Sequence, residues 1–216
     1  MQPHASLAVD VIVLTIAEGQ LLTLLVKVRD GPFAGRWAFP GGLVGGDESL
    51  EAAAMRELSA QTGLRGTYLE QLRTFGDPDR DPRARVVSTA YFALVPDRSA
   101  VQTRGKYAGV AWFPVKRLPP LAYDHDAMAR AVLERLRAKL EYTNIVYSLL
   151  PPEFTLGELQ EVYEIILGRA LDRRNFRKKI LATGLLRALA RQRRGPHRPA
   201  TLYAFTRRKP MVVEML

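Results

Sequence analysis

Cysteine is absent from the 216 residues. Disulfides and thiolate zinc sites are therefore excluded, and the composition fits a reducing, cytoplasmic setting. Histidine is scarce: His4, His125 and His197 lie far apart and form no metal-ligand spacing. Long apolar runs are missing too. Residues 11–17 are the main early one, far too short to span a membrane, and no cationic segment leads into an apolar core as in a signal peptide. Acidic charge is scarce in one region only. Residues 1–150 carry 18 Lys and Arg against 16 Asp and Glu, a net +2, whereas residues 151–216 carry 14 against 6, a net +8. The excess thus sits in the last third. What is abundant is apolar side chain, 47% of the chain, ample for the core of one large domain or two modest ones.

Residues 6–16, SLAVDVIVLTI, are β-branched and apolar and read as a buried strand. Residues 21–29 return from the turn at Glu18-Gly19-Gln20 as a hairpin partner. Asp30-Gly31-Pro32 and Gly35 mark a loop, followed by Arg36-Trp37-Ala38-Phe39-Pro40-Gly41-Gly42. Alternation puts Trp37 and Phe39 on one face, either as core or as the lining of a nucleotide pocket. The glycine pair Gly45-Gly46 then leads into a helix that Asp47 or Ser49 can cap and Gly63 can end in a left-handed conformation. Strands follow at 67–75, 86–95 and 110–113, and an amphipathic helix at 124–140. The polar loop 76–85 reads as an ordinary surface loop, or as a flap offering Arg80, Arg83 and Arg85 to phosphates.

The spacing Gly42-x5-Glu48-x7-Arg56-Glu57-Leu58 resembles the Nudix box, the loop-helix signature of nucleoside-diphosphate-X hydrolases. The resemblance covers about residues 6–141 and implies an α/β/α sandwich. It also implies two further glutamates, three and four residues after Glu57, where this chain has Ala60 and Gln61. Three carboxylates on one helix face would hold Mg²⁺ or Mn²⁺ against a diphosphate. With one left, and Glu51, Asp47 or a loop carboxylate as the only replacements, the expectation is no catalytic residue and no metal ligand. Glu48 and Arg56 read either as a brace between loop and helix or as direct ligand contacts.

The last third changes character. A short helix at 144–150 is stopped by Pro151-Pro152. Thr155 and Glu158 have capping-box spacing ahead of an apolar face of Leu156, Leu159, Val162, Tyr163 and Ile166. Asp172 caps a helix over 173–183 that turns Phe176 and Ile180 inward and carries Arg173, Arg174, Asn175, Arg177, Lys178 and Lys179. A hairpin with a basic tip, 191–198, completes the order of a winged helix-turn-helix. Candidate DNA contacts are those six residues with Thr155, Arg191, Arg193, Arg194 and Arg198. A small helical dimerisation domain with a solvated basic face is the bland alternative.

A degenerate Nudix domain (1–143) followed by a winged helix (144–216) resembles the NrtR family of Nudix-related transcriptional regulators, especially in residues 121–168 and in DRRNFRKKI. That resemblance implies a homodimeric repressor of NAD-metabolism genes on palindromic double-stranded operators, with no cofactor and with ADP-ribose as the releasing effector. The candidate effector contacts are Arg36, Trp37, Phe39, Arg56, Glu57 and Arg85. An active ADP-ribose pyrophosphatase with a helical appendage and a Nudix-derived RNA-binding protein remain as alternatives.

Overall fold

The computed structural model describes residues 4–64, 67–98, 107–193 and 199–213. Strands β1 (Ser6–Ala17) and β2 (Gln20–Lys27) are joined by Glu18 and Gly19, both left-handed at φ 53° and 68°. That pair matches the twist of the flanking strands. There follow β3 (Trp37–Ala38), β4 (Gly41–Leu43), helix α1 (Leu50–Thr62), β5 (Tyr68–Phe75), β6 (Val86–Leu94), β7 (Gly109–Pro114) and helix α2 (His125–Tyr142). The sheet runs β3-β2-β1-β6-β5, with β4 paired to β1 and β7 to β2.

β1 and β6 are parallel, Ser6 opposite Val86 through Leu14 opposite Leu94. A central parallel pair is covered on both faces, which explains why β1 reads as a continuous apolar run rather than an alternation. Val9, Val11 and Val13 pack with Ala53, Ala54 and Leu58 of α1 on one face, while Ile12 and Leu14 are buried on the other. The small alanines of α1 let it lie close to the sheet. Ser49, not Asp47, caps that helix by accepting from the amide of Ala52, and Gly63 ends it at φ 72°. Met128, Ala131 and Val132 bury the near part of α2. The result is the α/β/α sandwich expected from the sequence.

The second fold begins with a 3-10 turn (Ile145–Ser148) where a short helix was expected, then β8 (Phe154–Thr155), α3 (Leu156–Leu167), α4 (Arg173–Ala182), β9 (Leu186–Arg193) and β10 (Ala200–Phe205). Its sheet has the order β8-β10-β9. The capping box forms: Thr155 Oγ1 accepts from the amide of Glu158, whose carboxylate accepts from the amide of Thr155 at 2.7 Å. Gly168 closes α3 at φ 73°, and Asp172 caps α4. Phe154, Leu159, Tyr163, Ile166, Phe176 and Ile180 form the buried interior. This is a winged helix.

The chain divides into two compact units, Met1–Ala17 with Leu21–Val132, and Leu133–Leu216 with Glu18–Gln20. The divide falls inside α2, which is common to both. The sequence reading had missed a strap in the second unit. Fully buried Asn144 donates to Lys209 O at 3.1 Å and accepts from the amide of Met211 at 2.8 Å, and Arg208 donates to the carbonyls of Tyr147 and Leu150. No helix among the described residues is long and apolar enough to cross a membrane.

Candidate functional site

The first unit holds a cavity of about 520 Å³, lined among others by Asp10, Phe39, Gly41, Arg80, Arg83 and His125. Its floor is built on an anomaly of β1, a carboxylate in the middle of an apolar strand. β4 pairs Gly41 with Asp10, and a side chain at Gly41 would collide with that carboxylate. Glycine is therefore required by close approach, not by a turn. Asp10 accepts from Ser88 Oγ at 2.6 Å and faces Arg80 Nη2 and His125 Nε2, each at 3.4 Å. Burial alone would raise its pKa. His125, Ser88 and Arg80 outweigh burial and hold it below the usual carboxylate value.

His125 Nδ1 accepts the amide of Phe39 at 2.9 Å, which leaves Nε2 as the protonated nitrogen, toward Asp10. The Phe39 ring stacks on His125 with centroids 5.3 Å apart. Arg80 grips Asp124 through Nε at 3.1 Å and Nη2 at 2.8 Å. Burial opposes its charge, but Asp124 and Asp10 more than offset that and raise its pKa. Arg83 pairs with Asp81 at 2.8 Å and donates to Tyr123 Oη at 3.2 Å. Burial raises the pKa of Tyr107, whose hydroxyl donates to Gly41 O at 3.1 Å. Guanidinium groups, a fixed carboxylate and aromatic faces in one cavity suit an anionic, ring-bearing ligand such as a nucleotide.

The box loop forms a second depression that shares Leu43 with the cavity. Arg56 is clamped by Glu48 at 2.6 Å, by Glu57 at 2.6 Å and by Leu43 O at 3.0 Å. Hydrogen bonds from Arg56 pull the Glu48 pKa down to about 2. Glu48 and Arg56 thus brace loop against helix, and they line an open depression of about 480 Å³. Glu57 is buried behind Gly42, where a side chain would strike its carboxylate.

In the second unit α4 exposes Arg173, Arg174, Asn175, Lys178 and Lys179, and half-buries Arg177. Arg191 pairs with Glu153, and Arg193 with Glu158.

Two family models match: the NUDIX domain over residues 5–136, and the NrtR DNA-binding winged helix domain over residues 146–205. A protein of Acinetobacter baylyi described as an ADPR responsive transcriptional repressor is 36% identical over 94% of this chain and 83% of its own length. The chain belongs to the NrtR family. Shewanella oneidensis NrtR, crystallised with a 27mer DNA, superposes with a TM-score of 0.82 at 35% identity, over 93% of each chain. The Nudix domain of that NrtR, crystallised with ADP ribose, matches 62% of this chain and 89% of its own at 37% identity and a TM-score of 0.56.

Within this chain, the residues singled out from the sequence separate. Phe39 lines the cavity. Trp37 is not among the cavity-lining residues: its ring packs edge-on against Phe113, 4.8 Å away, the core reading of this residue rather than the pocket one. Arg36 is exposed. Arg56 lies at the box depression and Glu57 behind Gly42. Arg85 donates to the carbonyls of Asp77 and Val86. The loop 76–85 is not an ordinary surface loop, the first of the two readings the sequence allowed, because the Arg80 side chain is only 3% exposed and serves the cavity floor. Among the DNA candidates the Thr155 hydroxyl is committed to its capping box. Arg194 and Arg198 lie outside the described residues, as does the side chain of Gln61. Asp10, Tyr107, Tyr123 and His125 were missed, although a charge inside an apolar strand was a signal for Asp10.

Proposed function

We propose that the chain is an ADP-ribose-responsive repressor of NAD-metabolism genes. It binds a palindromic duplex as a homodimer through α4 and the wing, and ADP-ribose in the cavity releases it. One observation carries this reading: a cavity with nucleotide-compatible groups and a winged helix with exposed cations occur in one chain. The likeness to a repressor and to structures crystallised with DNA and with ADP ribose supports it. Cavity groups hold the diphosphate through guanidinium, without a metal.

The same reading makes the Nudix unit a sensor, not a hydrolase. Ala60 offers no ligand, and Glu57 is buried and already paired with Arg56. A hard divalent cation would have to displace that arginine and still find most of its oxygens elsewhere. The second reading, an ADP-ribose pyrophosphatase, is favoured by membership of the Nudix fold and by the surviving Glu48 and Glu57.

One experiment separates them. The chain is incubated with ADP-ribose and Mg²⁺ or Mn²⁺, and in parallel with duplex fragments of its own genome. Near-background formation of AMP, with a duplex selected and then released by ADP-ribose, is expected. Multiple-turnover AMP formation that Glu57→Gln abolishes would overturn the sensor reading.

A further inference from the structure

The segment Tyr123-Asp124-His125 opens α2 and is tied to the cavity at each residue: Tyr123 and Asp124 accept from arginine side chains, and His125 accepts the backbone amide of Phe39 and faces Asp10. Tyr123 lines the cavity and sits at φ 55°, a left-handed conformation that a bulky side chain rarely takes. Its hydroxyl receives Arg83, and its ring lies 4.5 Å from that of Phe33 and 5.8 Å from the Arg80 guanidinium. Asp124 does not line the cavity, yet its carboxylate is held by Arg80, which does. The backbone carbonyl of Asp124 accepts the amides of Ala127 at 2.9 Å and Met128 at 3.3 Å, the first turn of α2. His125 accepts the amide of Phe39 and faces Asp10.

Arg80 is the shared member. Its Nε and Nη2 serve Asp124 and Asp10, and its Nη1 makes no hydrogen bond among the described residues. We propose that Arg80 and Tyr123-Asp124-His125 form a latch through which an anionic ligand in the cavity acts on α2. The proposal rests on the cavity being the effector site. A diphosphate offers Arg80 oxygens that compete with Asp124, the more exposed of its two carboxylates at 18% against 11%. Loss of that grip frees a segment already held in an unfavourable backbone conformation. The first turn of α2 then shifts, and α2 is the helix that runs on into the second unit. Asp124 is a positioning residue here, since it acts through Arg80 and through its own backbone.

The test uses the full chain, its operator duplex and ADP-ribose. In Asp124→Asn the grip is weakened without any ligand, so operator affinity falls toward the parent's ADP-ribose-bound value, while ADP-ribose affinity without operator equals or exceeds the parent's. The fold-release of operator by ADP-ribose falls below about twofold, against roughly 5- to 150-fold for an ordinary allosteric coupling. A merely structural role would lower thermal stability and leave that ratio alone. Release equal to the parent's, or loss of ADP-ribose binding by the variant, overturns the latch. Hydrogen exchange on the unaltered chain gives an independent reading: amides at 124–129 change protection when ADP-ribose is added, and unchanged protection there overturns the latch as well. If the parent binds ADP-ribose and releases operator but the variant does the same, the latch alone fails. If the parent does not bind ADP-ribose, the effector reading fails with it.

Discussion

In the first unit the arginines around the site arrive already paired: Arg56 with Glu48 and Glu57, Arg80 with Asp10 and Asp124, Arg83 with Asp81. On α4, Arg173, Arg174, Lys178 and Lys179 are exposed and make no ion pair among the described residues. The same chemistry serves two ends. A paired guanidinium has fixed geometry and can discriminate one small anion, and Arg80, the buried one of the three, is the most constrained. Unpaired cations on an exposed helix have no internal partner and suit a long polyanion, whose binding releases counterions and weakens with salt. The wing lies between these cases, since Arg191 and Arg193 are exposed yet each has a glutamate partner.

The largest effect should come from breaking a buried pair. Arg80→Met leaves both Asp10 and Asp124 without that cation, and removal of one partner from such a buried group costs about 3–5 kcal/mol. Urea unfolding should show it. A loss below about 1 kcal/mol, the range of exposed pairs, would mean that Arg80 is no more committed than the α4 cations.

Next comes α4. Arg174→Ala or Asn175→Ala should cost roughly 1–3 kcal/mol at particular bases if the side chain reaches a base edge. Lys178→Ala should instead weaken every duplex and flatten the slope of log K against log salt by about 0.9. Titrations on matched and mismatched duplexes at several salt concentrations distinguish the two behaviours. Uniform weakening by all three variants would make α4 a phosphate-binding face without base readout.

Of the first unit's carboxylates held below their ordinary value, Asp10 is the one at the cavity floor through which acid should act. Its folded pKa is lowered, so ionised Asp10 contributes stability that is complete above the ordinary carboxylate value of about 4. That contribution is lost as pH falls toward and through the lowered folded value. Unfolding measured between about pH 6 and pH 2 should therefore decline less steeply in Asp10→Asn than in the parent. An unchanged acid limb would remove Asp10 from the charge network.

The smallest effect is at the wing. Glu153→Gln releases Arg191 from its partner and should tighten binding to all duplexes, steepening the salt slope by at most about 0.9. No change would mean that the pair persists on DNA.

The winged helix was largely legible in the sequence because its signals are local. The capping box at Thr155 and Glu158, the Asp172 cap, Gly168 and the inward Phe176 and Ile180 each lie within a few residues of what they control. The box helix was legible for the same reason. The cavity was not. Asp10 meets Ser88 and Arg80 from two other parts of the chain, and Phe39 meets His125, only after the β1–β6 register and the 76–85 loop are in place. Residues that are polar in a loop or alternating in a strand give no such partner away. Trp37 and Phe39 illustrate the limit: they have the same spacing and residue class, but one packs on Phe113 and the other lines the cavity. The strap from Asn144 to residues 209–211 was hidden likewise, because its partners are a side-chain amide and bare backbone.

The central claim is that a ligand in the first unit and a duplex on the second oppose each other through one chain. Linkage makes it measurable from the ligand side alone. ADP-ribose affinity is determined calorimetrically for the free chain and for the chain saturated with operator duplex. Affinity weaker on the duplex, by the same factor by which ADP-ribose lowers operator affinity and of order 5- to 150-fold, is the expected result. Equal affinity for the free and DNA-bound chain would contradict it, however tightly ADP-ribose binds.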